Sequence, residues 1–168
     1  MENRIEILEP TTLVGKSLEM SLADDRTLEL WQSFGPFVKR IENRKDQNLI
    51  SMQNFHRPFD PNKFDPEAVF TKWAAAAIHP MDPPQNSRMQ LGNGALKLYQ
   101  MPGGLYAVFK HVGRASEFGR SMAFIYGKWF ANQPYVLDNR EHFEVLPPGY
   151  RPDDPEAEEE IWIPVKRK

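Results

Sequence analysis

An α+β fold made of two βαββ halves is what this sequence predicts, and three observations lead there. Hydrophobic spacing switches twice from alternation to intervals of three and four, once in each half of the 168 residues. The order strand, helix, strand, strand can be read off the chain and is then read again. A weak internal echo accompanies it: Leu8-Glu9-Pro10-Thr11-Thr12-Leu13-Val14 aligns with Gln100-Met101-Pro102-Gly103-Gly104-Leu105-Tyr106 at a constant offset of 92. Identities in this echo are few, so element order carries the reading. Two such units pack two main helices against antiparallel sheets and leave a groove between the halves.

The elements follow in chain order. Arg4 to Leu13 alternates as a strand with a break at Glu9-Pro10-Thr11-Thr12, and Leu13 to Met20 resumes it. Leu28, Trp31, Phe34, Phe37-Val38 and Ile41 then recur at helical spacing, from Asp24 to about Arg44. Asp24 or Asp25 is placed to cap this helix, and Gly35-Pro36 is expected to kink it. Asn48 to Phe55 and Val69 to Ile78 read as strands around a proline-punctuated loop. After a Pro/Asn/Gly stretch over residues 80–94, with Gly92-Asn93-Gly94 as a lone turn, the second set begins. Leu96 to Met101 and Leu105 to Val112 are extended around Pro102-Gly103-Gly104. Ser116 to Phe130 has helical spacing, and His142 to Leu146 and Glu159 to Val165 are the last strands. The chain is expected to be one domain over 1–168, with module one about 1–80 and module two about 95–168, and no DNA-binding domain.

Composition narrows the function. A net charge of -2 gives no polyelectrolyte signal, so direct nucleic-acid binding is not expected. The absence of cysteine excludes disulfides, thiolate nucleophiles and Cys-ligated metals. No segment approaches the length of an apolar membrane span and the start of the chain has no signal-peptide core, so a cytoplasmic protein without membrane contact is expected. His56, His79, His111 and His142 share no metal-ligand spacing, and neither a metal nor a cofactor is predicted. His111 and His142 are candidates to be neighbours across strands and to tune a nearby carboxylate. There is no serine nucleophile elbow. The acidic run Asp153 to Glu160 reads as a solvated loop.

Glu144 poses the central question, since it sits in the middle of a short aromatic and β-branched strand. Alternation alone favours a solvated side chain, with Phe143 and Val145 facing the core.

Four blocks of residues resemble one family. Met101 to Gly113 is similar to the "P-x-G-x-Y-A-V-F-x-H-x-G" signature of GyrI-like effector-binding domains. Ile125 to Phe130 resembles that family's helix ending in Trp, His142-Phe143-Glu144 its "F-E" strand, and Glu160 to Lys166 its closing "I-x-I-P-V" strand. The resemblance implies the SHS2-type arrangement of duplicated βαββ modules. It also implies a cavity between modules in which Glu144 faces amphipathic, often cationic, aromatic ligands; the rings expected beside it are Trp73, Tyr106, Tyr126 and Trp129. Trp31 and Trp162 are read as structural. No helix-turn-helix is seen beside the two modules, and Lys72 to Ile78 holds four alanines in succession, a departure that bears on the cavity or on sheet packing. The expectation is a free-standing sensor or sequestering protein, linked to transcription or drug response, for a cationic aromatic small molecule. A hydrolase using Glu144 to activate water, with Tyr106 or Trp129 positioning the substrate, is the alternative. A gyrase-inhibitor-like interaction module is a further one, and a protein partner or a homodimer is left open.

Overall fold

Pro10 and the Pro102-Gly103 pair interrupt two long extended segments at matching points, and the sheet is organised around those breaks. The computed structural model describes residues 1–80 and 95–168; the turn expected at Gly92-Asn93-Gly94 lies outside the described residues. In chain order the elements are β1 (Asn3–Leu8), β2 (Thr11–Met20), α1 (Thr27–Phe34), β3 (Leu49–Phe55) and β4 (Phe70–Ile78). There follow β5 (Lys97–Met101), β6 (Gly104–Val112), α2 (Phe118–Phe124), β7 (Tyr135–Leu137), β8 (His142–Leu146) and β9 (Glu158–Arg167).

The first break separates β1 from β2 and the second separates β5 from β6. The two broken segments run antiparallel in a single register carried through both breaks: Leu8 faces Gly104, and Thr11 faces Met101. At the crossing Gly103 has φ 78°, and a Cβ there would come within 2.3 Å of the Leu8 carbonyl oxygen. Only glycine meets both demands. Strand order is β1-β6-β9-β8-β3-β4-β2-β5, with β7 on β9 and every pairing antiparallel. Because β1 leads directly into β2 and β5 into β6, the two ends of that order are joined through the chain. Among the described residues the result is an α+β fold with a nine-stranded antiparallel sheet and two α-helices.

Local differences from the sequence reading have physical causes. The α-helix expected to reach Arg44 stops at Phe34, and Gly35–Arg40 continues as a 3-10 turn. Pro36 lacks the N–H that an α-helical bond would need, and it sits instead in the first turn of the tighter helix. Asp25 accepts a hydrogen bond from the Thr27 backbone N–H (2.9 Å). The second helix changes to a π turn over Ile125–Trp129. β7, three residues long, is too short to show a period, and pairing with the end of β9 defines it.

Alternation gives the sheet two unlike faces. One face receives both helices: Leu30 and Phe34 of α1 pack on Val14, Ala74, Ala76 and Ile78, and Ile125, in the turn that continues α2, packs on Ala107, Phe109, Ile161 and Ile163. Among the described residues, no helix covers the other face. Its residues from both halves, among them Leu13, Met52, Trp73, Tyr106, Phe143 and Trp162, form one cluster as the sheet curls over them. The alanine run serves close packing. β2 approaches β4 so tightly that a Cβ on Gly15 would lie 2.0 Å from the Ala74 carbonyl oxygen.

Candidate functional site: an acidic seam between the helices

β3 and β8 pair with each other at the centre of the sheet and form its central seam. On the helix-bearing face, Ser51 stands opposite Glu144 and Gln53 opposite His142. Lys72 of β4 stands opposite Gln53, and Ile161 of β9 opposite Glu144. Two residues before Ile161, and so on the same face, is Glu159. The two apolar clusters under the helices thus flank a strip of polar side chains.

That strip is the floor of a cleft of about 1930 Å³. Leu28 and Trp31 line it from α1, and Phe118, Met122 and Tyr126 from the second helix. Phe59 and Phe64 line it from the loop between β3 and β4. The Phe59 ring lies 4.9 Å from Phe55 and 5.4 Å from both Tyr126 and His142, so this loop reaches across the seam to the opposite half. The volume exceeds the roughly 300–1,000 Å³ of a drug-sized site, which leaves room for a polycyclic ligand and solvent together.

Two carboxylates stand on the floor. Glu144 retains some surface because the cleft reaches it, yet protein atoms crowd it on every side. Burial pushes its carboxyl above the usual range, against the opposing pull of Lys72, Gln53 and Ser51. The Gln53 amide donates to Glu144 Oε2 at 3.0 Å. Glu159 is buried, and burial followed by repulsion from Glu144 pushes it up to about 7, while the Tyr150 hydroxyl and Lys72 work the other way. The Tyr126 hydroxyl is likewise raised, by burial and then by Glu144. His142, wedged between Phe55 and Phe59, is pushed down to about 3 by burial and then by Arg140, so it is neutral near pH 7.

Lys72 Nζ donates to Thr27 Oγ1 at 3.1 Å, and the Thr27 hydroxyl donates to Asp25 at 2.6 Å. Among the described residues, Lys72 makes no ion pair.

Of the five residues expected in the cavity, the structure brings two together there, Glu144 and Tyr126. Glu144 is therefore not the solvated side chain that alternation favoured: with helices on its face, the polar side points into the cleft. Trp73 and Tyr106 belong to the helix-free face, one residue out of phase with the cleft. Trp73 packs against Tyr99, while the Tyr106 hydroxyl donates to the Glu141 carbonyl (3.0 Å) under the Arg140 guanidinium. Trp129 faces Phe109 and donates to Asn3 Oδ1 (3.3 Å). The π turn is the reason, since its wider winding takes residues three apart off a common face. Trp162 packs inside the sheet as expected, but Trp31 lines the cleft. His111 is not beside His142; its ring bonds Ser121 Oγ and the Arg114 carbonyl, tying β6 to the second helix.

Glu159, Lys72, Phe59 and Tyr150 were missed. For Glu159 a signal existed: it shares the parity of Ile161 and Ile163, which marks it as part of the helix-facing side rather than of the acidic loop before it. Among the described residues, no group of three or more His, Asp or Glu side chains is placed to hold a metal ion, and no helix is long and apolar enough to cross a membrane.

A cleft over a central carboxylate, walled by two helices on a curled antiparallel sheet, defines a small-molecule binding module. The chain belongs to the GyrI-like small molecule binding domain family, whose model matches residues 1–166. Among solved structures it is similar to a transcription regulation protein from Staphylococcus aureus MU50, at 16% identity over 99% of both chains with a TM-score of 0.69. A protein solved bound to tetraphenylphosphonium is similar at 14% identity, over 99% of this chain and 94% of that one, with a TM-score of 0.61. The C-terminal domain of EcmrR matches at 11% identity, over 99% and 98%, with a TM-score of 0.66. No curated protein sequence matches.

Proposed function

We propose that the protein captures amphipathic, cationic aromatic small molecules in this cleft, with Glu144 as the charge-selecting group, and that it acts as a sensor or sequestering module linked to transcription or drug response. The observation that carries this reading is the pair of desolvated carboxylates on an aromatic-walled floor. A carboxylate in such a place is held in its charged form at a cost, and a cation beside it removes that cost. The ligand's rings displace water from Trp31, Phe59 and Tyr126, and a ring facing a cation adds about 0.5–2 kcal/mol. The tetraphenylphosphonium bound by a protein of the same fold has this chemistry, and the EcmrR domain supports the link to transcription.

Titration calorimetry with tetraphenylphosphonium tests it. Wild type is expected to bind saturably, and Glu144→Gln to weaken binding by about tenfold or more. The same substitution should leave thermal stability unchanged or raise it, because it removes a buried charge that has no ion pair. Equal affinity in wild type and Glu144→Gln would remove Glu144 from the recognition chemistry.

A further inference from the structure

A cleft built for cations alone would not be expected to contain a lysine, and this one does. Lys72 rises from β4 into the same floor as Glu144 and Glu159. Its ammonium has three donors; one reaches Thr27 Oγ1, and among the described residues no carboxylate pairs with it. Thr27 in turn spends its own proton on Asp25, which keeps the lysine fixed at the α1 end of the floor while leaving donors free. Burial of that corner is partial, so an incoming group can reach it.

The strand order sets the spacing. Lys72 is on β4 and Glu144 on β8, with β3 between them. Lys72 stands level with His142, two residues along β8 from Glu144, so two interstrand steps and that offset place the Lys72 and Glu144 backbones roughly 12 Å apart, about the length of a three-ring aromatic system. Gln53 occupies the intermediate position, bonded to Glu144. The floor therefore carries its lysine at the α1 end, linked through Thr27 to Asp25, and Glu144 and Glu159 toward the second helix, with aromatic walls along its length.

Resting on the cation-binding reading, we infer that the cleft selects zwitterionic aromatic ligands: the cationic group lies against Glu144 and Glu159, and a carboxylate or comparable acceptor at the other end of the ring system accepts hydrogen bonds from Lys72. Lys72 is thus a specificity-determining residue. It repels a cation that has no acceptor and orients one that has.

A matched pair of probes decides it: a rhodamine with a free carboxylate, and the methyl ester of that same rhodamine. Wild type is expected to bind the zwitterion about tenfold more tightly than the ester, and Lys72→Met to invert the order by weakening the first and tightening the second. Lys72→Arg, which keeps the charge, should retain the wild-type preference and guards against a folding defect in Lys72→Met. Thermal melts of both variants report their folding. If the ester binds wild type as tightly as the zwitterion, or Lys72→Met shifts both alike while Lys72→Arg folds, the inference is overturned. Tetraphenylphosphonium separates the two levels: its binding with no zwitterion preference overturns only the role of Lys72, and failure of all three probes overturns the cation reading with it.

Discussion

The two faces of this sheet are made from alternate residues of the same strands, yet they do opposite work. On the helix-free face, Trp73, Tyr106, Phe143 and Trp162 meet across both halves, and the Tyr99 and Tyr106 hydroxyls are tied to Glu141, whose Oε2 has no partner among the described residues. Arg140 is tied down there too. Its guanidinium bonds the carbonyls of Gly103, Leu105 and Val165, pairs with Asp138 at 2.7 Å and lies 4.6 Å from the Tyr106 ring. On the helix-bearing face the helices cover only the two flanks. The central strip keeps Ser51, Gln53, Lys72, Glu144 and Glu159, with charges that protein partners satisfy incompletely. Apolar packing stabilises both faces, while the central strip of the helix-bearing face presents its carboxylates and Lys72 to the cleft. Phase along a strand, not residue type, decides which role a side chain has.

The largest effect expected from that contrast is on stability. Trp73→Ala empties a closed cluster where the ring lies 5.2 Å from Tyr99, and a buried Trp→Ala change costs about 3–5 kcal/mol. Chemical unfolding should show this loss, while tetraphenylphosphonium affinity of the folded fraction changes by less than about twofold. A large fall in affinity with little loss of stability would place Trp73 in the recognition machinery and break the division between faces.

Much of this was legible beforehand, and the limits have a physical origin. The strand and helix order follows from hydrophobic period, which local residues set. Glu144 was found because a charged residue in the middle of an apolar strand is conspicuous, and the family resemblance supplied its direction. The companions were harder to see. Trp73 and Tyr106 have the right chemistry for a pocket, but their faces depend on register between strands far apart in sequence, such as Gln53 opposite Lys72. A one-residue shift moves a side chain to the other face, so Lys72 lies in the cleft and Trp73 does not. Trp129 was misplaced because a π turn is invisible to a search for α-helical spacing. Phe59 lies in a proline-rich loop, where no period exists to be read.

Next in size is a pH effect from the seam. Glu159 has its folded value raised to about 7 from an ordinary 4.5. Between those values the folded chain keeps a proton that the unfolded chain has released, so this group's contribution falls as pH rises across the window. It is fully present below about 4.5 and gone above about 7, a span on the order of 3 kcal/mol. His142 works in the other direction: with its folded value at about 3 against an ordinary 6.5, it destabilises the fold as pH falls below 6.5. The two slopes oppose each other in wild type, so Glu159→Gln is needed to expose one of them. The unfolding free energy of Glu159→Gln relative to wild type should grow in the variant's favour from about pH 5 to about pH 8. A difference that stays flat with pH would mean that Glu159 is solvated and that the seam carries a single desolvated carboxylate.

The smallest effect gives the sharpest comparison, because it sets two aromatic residues of one helical turn against each other. Tyr126 lines the cleft, 5.4 Å from Phe59, whereas Trp129 is buried against Phe109. Tyr126→Ala should weaken tetraphenylphosphonium by about 0.5–2 kcal/mol, the contribution of one ring facing a cation. Its stability loss should be smaller than that of Trp129→Ala, since the tyrosine is only half buried and gives up fewer core contacts. Trp129→Ala should do the reverse, with lower stability and nearly unchanged affinity. If both substitutions weakened binding equally, the π turn would not separate the two faces of this helix in solution. The cleft would then extend past Tyr126 toward the strand that now covers Trp129.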